Sequence, residues 1–212
     1  TIEFPLPVSG PLESLRESLL AGLRHVNGTP RLRAATLFAA AASFLAFPLI
    51  TYLPVIAGDV LETGASGYSL LLTSVGIGAI VGAVGTAHRG QAAGRGRLML
   101  LAFAFFGFVT VGAALSRWQW LSMVLLVGSG FALTTAFSTL NSLVQEMAPE
   151  ALRGRVLSIF GLAFRGGGPV GSLIAGSLVR AAGAPAVMAA YAAVLLCLAS
   201  FLLLRGGELR RL

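Results

Sequence analysis

The 212-residue chain has no lysine, a single cysteine, two histidines and only eight acidic residues. Each scarcity removes a class of protein. The one cysteine, Cys197, sits inside an apolar run, so the sequence holds no disulfide or metal framework. Charged residues make up 11% of the chain, against about 25% in an ordinary globular domain. Such a surface is not built to face water. The fifteen basic residues are all arginine, which reads as GC-rich codon usage rather than chemistry. Segments of about ten alternating residues are missing, which excludes a porin-like barrel. Nothing at the start resembles a signal peptide: residues 1–10 hold two prolines and no apolar core. The chain opens on Thr1, and we expect it to begin inside a longer protein.

What is present is apolar. Hydrophobic residues reach 56%, and the mean hydropathy is +0.87. The net charge of +7 and pI near 11.2 raise nucleic acid as a partner. The arginines, however, are dispersed between long apolar runs, which reads as membrane topology and not nucleic-acid binding. Six runs stand out, at 34–57, 68–87, 98–115, 119–144, 156–179 and 185–204. Each is long enough to cross about 30 Å of hydrocarbon as a helix. Lipid cannot satisfy stray backbone polar groups, so an open chain must cross as helix. The expected fold is an all-α membrane protein, a six-transmembrane-helix bundle over 31–205, with a linker at 1–30 and a tail at 206–212.

Arginine placement orients the bundle. Arg16, Arg24, Arg31 and Arg33 precede the first run, Arg89, Arg95 and Arg97 follow the second, and Arg153 and Arg155 precede the fifth. With Arg205, Arg210 and Arg211 these lie on one side, leaving Arg117 and Arg180 on the other. The positive-inside rule then puts both termini in the cytoplasm. Ahead of the first run, Leu12, Leu15, Leu19, Leu23 and Val26 recur at helical steps over 11–26, an amphipathic helix suited to the membrane surface. Thr29-Pro30 supplies a cap and first-turn proline for the next helix.

Several residues are candidates for function. Arg165 lies near the middle of the fifth run, where an arginine costs about 2.5–3.5 kcal/mol and usually faces a bundle interior or water cavity. It either contacts a polar or anionic substrate or bonds to carbonyls freed where Gly166, Gly167, Gly168 and Pro169 break the helix. Pro48 and Pro54 interrupt the first run in the same way. Thr134, Ser138, Asn141 and Gln145 share one helical face, and Ser158, Arg165 and Ser172 share another. These faces are either interhelical glue or two walls of a cavity. Gly78 and Gly82 form a GxxxG pair for close packing. Arg89, Arg95, Arg97, Glu146, Glu150, Arg153 and Arg155 form a candidate cytoplasmic gate, or else anchor the topology and contact phospholipid.

HRGQAAGRGRL at 88–98, PEALRGRVLS at 149–158 with the following FRGGGPVGSLIAG, and TYLPVIAGDVLETGASGYSLL at 51–71 carry a resemblance. Together they resemble the C-terminal six-helix half of a major facilitator superfamily transporter. The branch is that of enterobactin and macrolide efflux proteins, the transmembrane secretion effector type. The 88–98 loop lacks the acidic residue of the superfamily signature, so the signature's gating role does not carry over. The resemblance implies alternating-access export of a small amphipathic compound, siderophore or drug-like, with a second six-helix half as partner and no enzyme activity or cofactor. It also implies proton coupling, yet none of the six runs contains Asp or Glu. The coupling carboxylate would then lie in the other half. A non-transporting scaffold or truncated remnant is the alternative. Gly64-Ala65-Ser66-Gly67 matches the GxSG of intramembrane serine proteases, but the sixth run has no histidine to activate a serine. Ser66 reads instead as a helix cap.

Overall fold

The structure, a computed structural model, describes residues 15–89, 94–206 and 209, with side chains omitted for 15–19 and 89. Residues 11–14 of the expected surface helix, the side chain of Arg89 and most of the 206–212 tail lie outside the described residues. Every regular element described is helical: α1 Leu15–Gly28, α2 Pro30–Ala46, α3 Pro48–Val55, α4 Gly64–Arg89, α5 Arg95–Leu115, α6 Gln119–Met147, α7 Arg153–Ala182 and α8 Ala184–Arg205. Among the described residues, six stretches are long and apolar enough to cross a membrane: Pro30–Val60, Gly64–His88, Arg95–Leu115, Gln119–Met147, Glu150–Ala182 and Ala184–Arg205. They contain the six apolar runs and extend most of them by a few residues, because helix continues into the polar interface.

The first span is the irregular one. Pro48 has no N–H for the Phe44 carbonyl, so α2 gives way to α3 at Phe47. Beyond Pro54 the chain winds as a π-helical turn over Ile56–Val60, with the Leu61 N–H reaching the Ile56 carbonyl at 3.0 Å. Pro30 occupies the first turn of α2 as expected, but Thr29 makes no side-chain cap bond. Ser66 is not a cap. It lies inside the first turn of α4, where its hydroxyl donates to the Thr63 carbonyl at 3.2 Å.

Packing follows the small residues. Phe103, Phe106, Met99 and Leu100 of α5 are fully buried, and α5 packs between α6 and α8. Gly78 and Gly82 of α4 lie against the α6 backbone; a Cβ at Gly82 would come within 2.6 Å of the Phe131 carbonyl oxygen. Gly107 of α5 meets the Ala192 carbonyl of α8 in the same way, at 2.7 Å. Thr110 and Ser129 share a buried hydrogen bond of 3.0 Å between α5 and α6. α7 packs on α2, and its N-terminal turns receive α1, where Gly22 sits on the Arg155 backbone.

α7 also corrects an expectation. It runs unbroken from Arg153 to Ala182 through Gly166-Gly167-Gly168-Pro169. The glycines serve contact instead: Gly167 rests on Ala40 and Ser43, Gly168 on the Phe47 ring and Gly171 on the Phe44 backbone. Pro169 is tolerated because it withholds only one N–H, and α2 supports the helix on either side.

Candidate functional site

Coverage differs sharply between the helices. In α5, 56% of the apolar window is buried, against 17% in the α7 span. The uncovered side of α7 borders a groove that runs between it, α6 and the α2–α3 kink. Towards the arginine-rich end, a hollow of about 420 Å³ lies between Phe137, Ser138 and Asn141 of α6 and Phe160, Phe164 and Arg165 of α7. Beyond Arg165 a second hollow, of about 440 Å³, is bounded by Phe47, Thr51, Phe164, Arg165, Pro169 and Ser172. A wider third hollow, about 700 Å³, continues past Thr51, Tyr52 and Ser172 to Ser177 and Arg180. Leu157 in the first hollow and Arg180 in the third mark the ends of the groove, about 35 Å apart at the helical rise, comparable to the thickness of a bilayer core.

Arg165 therefore belongs to both of the first two hollows. It is exposed, and among the described residues none accepts a hydrogen bond from its guanidinium or pairs with it. The proposed alternative, bonding to carbonyls at a helix break, loses its premise because the helix does not break. Pro169 does withhold a donor from the Arg165 carbonyl, four residues earlier, so this one position offers both a cation and an acceptor.

The groove gathers Ser138, Asn141, Arg165 and Ser172 from the expected polar faces. Thr134, Gln145 and Ser158 do not line these three hollows. Thr134 is half-buried, Gln145 is exposed towards the end of α6, and Ser158 donates to the Gly154 carbonyl at 2.8 Å. Ser172 is held from across the groove: its hydroxyl lies 3.0 Å from that of Thr51, and the Tyr52 hydroxyl donates to its carbonyl at 2.9 Å.

Sequence reasoning passed over Thr51, Tyr52 and the phenyl rings. Phe137 and Phe164 meet edge-on with centroids 4.7 Å apart, and Phe164 meets Phe47 at 5.8 Å and stacks near Phe160 at 6.3 Å. Neither the Thr-Tyr pair between two prolines nor the four-residue step from Phe160 to Phe164 marks a groove by itself.

At the arginine-rich end, half-buried Arg95 pairs with Glu146 and donates to the Ser142 hydroxyl at 3.2 Å, tying the start of α5 to the end of α6. Arg97, Glu150 and Arg153 are exposed nearby in sequence order, and Arg155 is half-buried beneath α1. No group of His, Cys, Asp or Glu suited to a metal occurs among the described residues.

The sequence profile of the transmembrane secretion effectors, a family of the major facilitator superfamily, matches residues 6–210. The chain belongs to that family. It is 32% identical over 187 residues to the multidrug efflux pump Tap of Mycolicibacterium fortuitum, covering 88% of this chain and 45% of the relative. This family member thus spans less than half the length of that curated relative. Its six apolar helices make it a multi-pass membrane protein.

Proposed function

We propose that this chain is the C-terminal half of a secondary active exporter, and that the groove along α7 is its side of the substrate path. The observation that carries the reading is Arg165: an exposed cation at mid-span, unpartnered among the described residues, between two hollows lined by hydroxyls, an amide and phenyl rings. An arginine there is costly unless it faces protein or water. The matched relative is named a multidrug efflux pump, which favours outward transport of a small amphipathic compound.

In this reading a second six-helix half, in the same polypeptide or another, faces α4 and α7, and the two rock about the substrate in alternating access. Both termini lie in the cytoplasm, by the arginine asymmetry. Proton coupling, if it drives export, uses a carboxylate of the other half, since the six runs of this one carry none. The Arg95–Glu146 pair with Arg89, Arg97, Glu150, Arg153 and Arg155 forms the cytoplasmic gate, and α1 rides on its α7 side. The protein acts as a transporter.

The test is export from cells carrying the complete gene. Arg165→Ala, at matched membrane abundance, is expected to lower export of at least one substrate about tenfold or more, the loss of one charge-assisted contact. Undiminished export of every compound tried would remove Arg165 from the path.

A further inference from the structure

Two features of the groove make opposite demands. A guanidinium needs water or an anion beside it, and lipid supplies neither. Four phenyl rings need an apolar neighbour, and a water-filled passage supplies none. Phe47, Phe137, Phe160 and Phe164 nevertheless surround the two hollows that Arg165 divides. Phe164 is common to both, edge-on to Phe137 at 66° and to Phe47 at 68°. Among the described residues no carboxylate lines either hollow, so nothing there competes for the cation. Asn141 adds an amide on the arginine-rich flank.

A ligand with a flat apolar body and one anionic group meets both demands. Aromatic rings against a phenyl array gain beyond simple area burial, because ring edges and faces carry opposite partial charge. A guanidinium and a carboxylate or sulfonate form the strongest class of hydrogen bond. Each hollow falls within the roughly 300–1,000 Å³ range of small-molecule sites. We infer that the groove takes an organic anion bearing at least one aromatic ring, an aryl carboxylate or sulfonate, with its ring on Phe137 and Phe164 and its charge on Arg165. This rests on the groove being a substrate path, and it names the class that path accepts.

Displacement of radiolabelled 2-naphthoate from membranes of cells expressing the complete gene tests it. The competitors keep the ring and change the charge (2-naphthamide, 2-naphthylmethylammonium) or keep the charge and ring carbons and remove aromaticity (decahydronaphthalene-2-carboxylate). Naphthoate is expected to bind about tenfold tighter than the amide or ammonium compound, as one charge-assisted contact implies. Decahydronaphthalene-2-carboxylate is expected to bind about three- to tenfold more weakly than naphthoate. Arg165→Gln should erase the charge preference and keep the ring preference, whereas Arg165→Lys keeps both. Phe164→Leu should do the reverse of Arg165→Gln.

Equal binding of all three charge states, as an acidic side chain of a partner half seated on Arg165 would produce, overturns the inference. So does a charge preference that survives Arg165→Gln, or no saturable binding of any probe. Transport separates the two readings. Vesicles that bind naphthoate with this selectivity but move no compound would refute export and leave the ligand class standing. Vesicles that pump cations regardless of Arg165 would refute the ligand class and leave export standing.

Discussion

At the scale of single residues, Arg165 carries a high insertion cost and has no hydrogen-bond or ion-pair partner among the described residues. Removing it breaks no bond seen among the described residues and relieves a cost of about 2.5–3.5 kcal/mol on insertion scales. Arg165→Ala is therefore expected to fold and insert at least as well as the parent while transporting less, measured as membrane abundance beside export. A structural arginine would lose both together. Arg95 and Glu146 behave differently. Their pair is partly solvated, with side chains 16% and 38% exposed, so Glu146→Gln should change stability by less than about 1 kcal/mol. If the pair belongs to a gate, the transport rate will still change, and a thermal shift read beside an initial rate separates the effects. Arg165, Ser138, Asn141 and Ser172 were legible in the sequence because polar groups in apolar runs are conspicuous. The phenyl rings were not, since a phenylalanine in such a run looks the same whether it meets lipid, a core or a cavity. Thr51 and Tyr52 were hidden for another reason: their position depends on a kink whose direction no local pattern specifies.

The helical elements show how backbone contact replaced the anticipated break. Gly166-Gly167-Gly168-Pro169 reads as a breaker because each residue is poor in a helix on its own. Tertiary contact overrides that propensity, since only residues without a Cβ let α7 approach Ala40, Ser43 and Phe44 of α2. The same four-residue window holds a control. Gly166 has nothing within 4 Å of where a Cβ would stand. Gly166→Ala is expected to stabilise α7 by up to about 1 kcal/mol. Gly171→Leu should lose folded protein, because its side chain has no room beside the Phe44 carbonyl. Thermal unfolding of the two variants in detergent checks the pair, and equal stability would contradict the packing described. The six-helix architecture was legible from hydropathy alone, since lipid leaves the backbone little choice. The kink at Phe47 and the π turn at Ile56–Val60 needed the structure: prolines mark where a ladder is cut, not how the chain recovers.

For the whole molecule, the uneven coverage of the bundle is the organising fact. α5 is the most covered of the described spans, while α7 presents Leu162, Leu173 and Arg165 outward. Exposed leucines suit either lipid or another protein, so they do not decide what covers this side. An exposed arginine beside Ser138, Asn141 and Thr51 requires water, at least part of the time. A substrate path along α7 requires that water. In a Cys197→Ala background, single cysteines at Ser138, Arg165 and Ser172 can be compared with cysteines at Phe108 and Leu204, which are 66% and 84% exposed on α5 and α8. The readout is labelling by a membrane-impermeant, charged thiol reagent, applied to the complete transporter in membranes. A water-filled groove predicts labelling at the three groove positions, slowed by substrate at Ser138 and Ser172, and none at Phe108 or Leu204. Groove positions as unreactive as Phe108 and Leu204 would place α7 against lipid and contradict the substrate path.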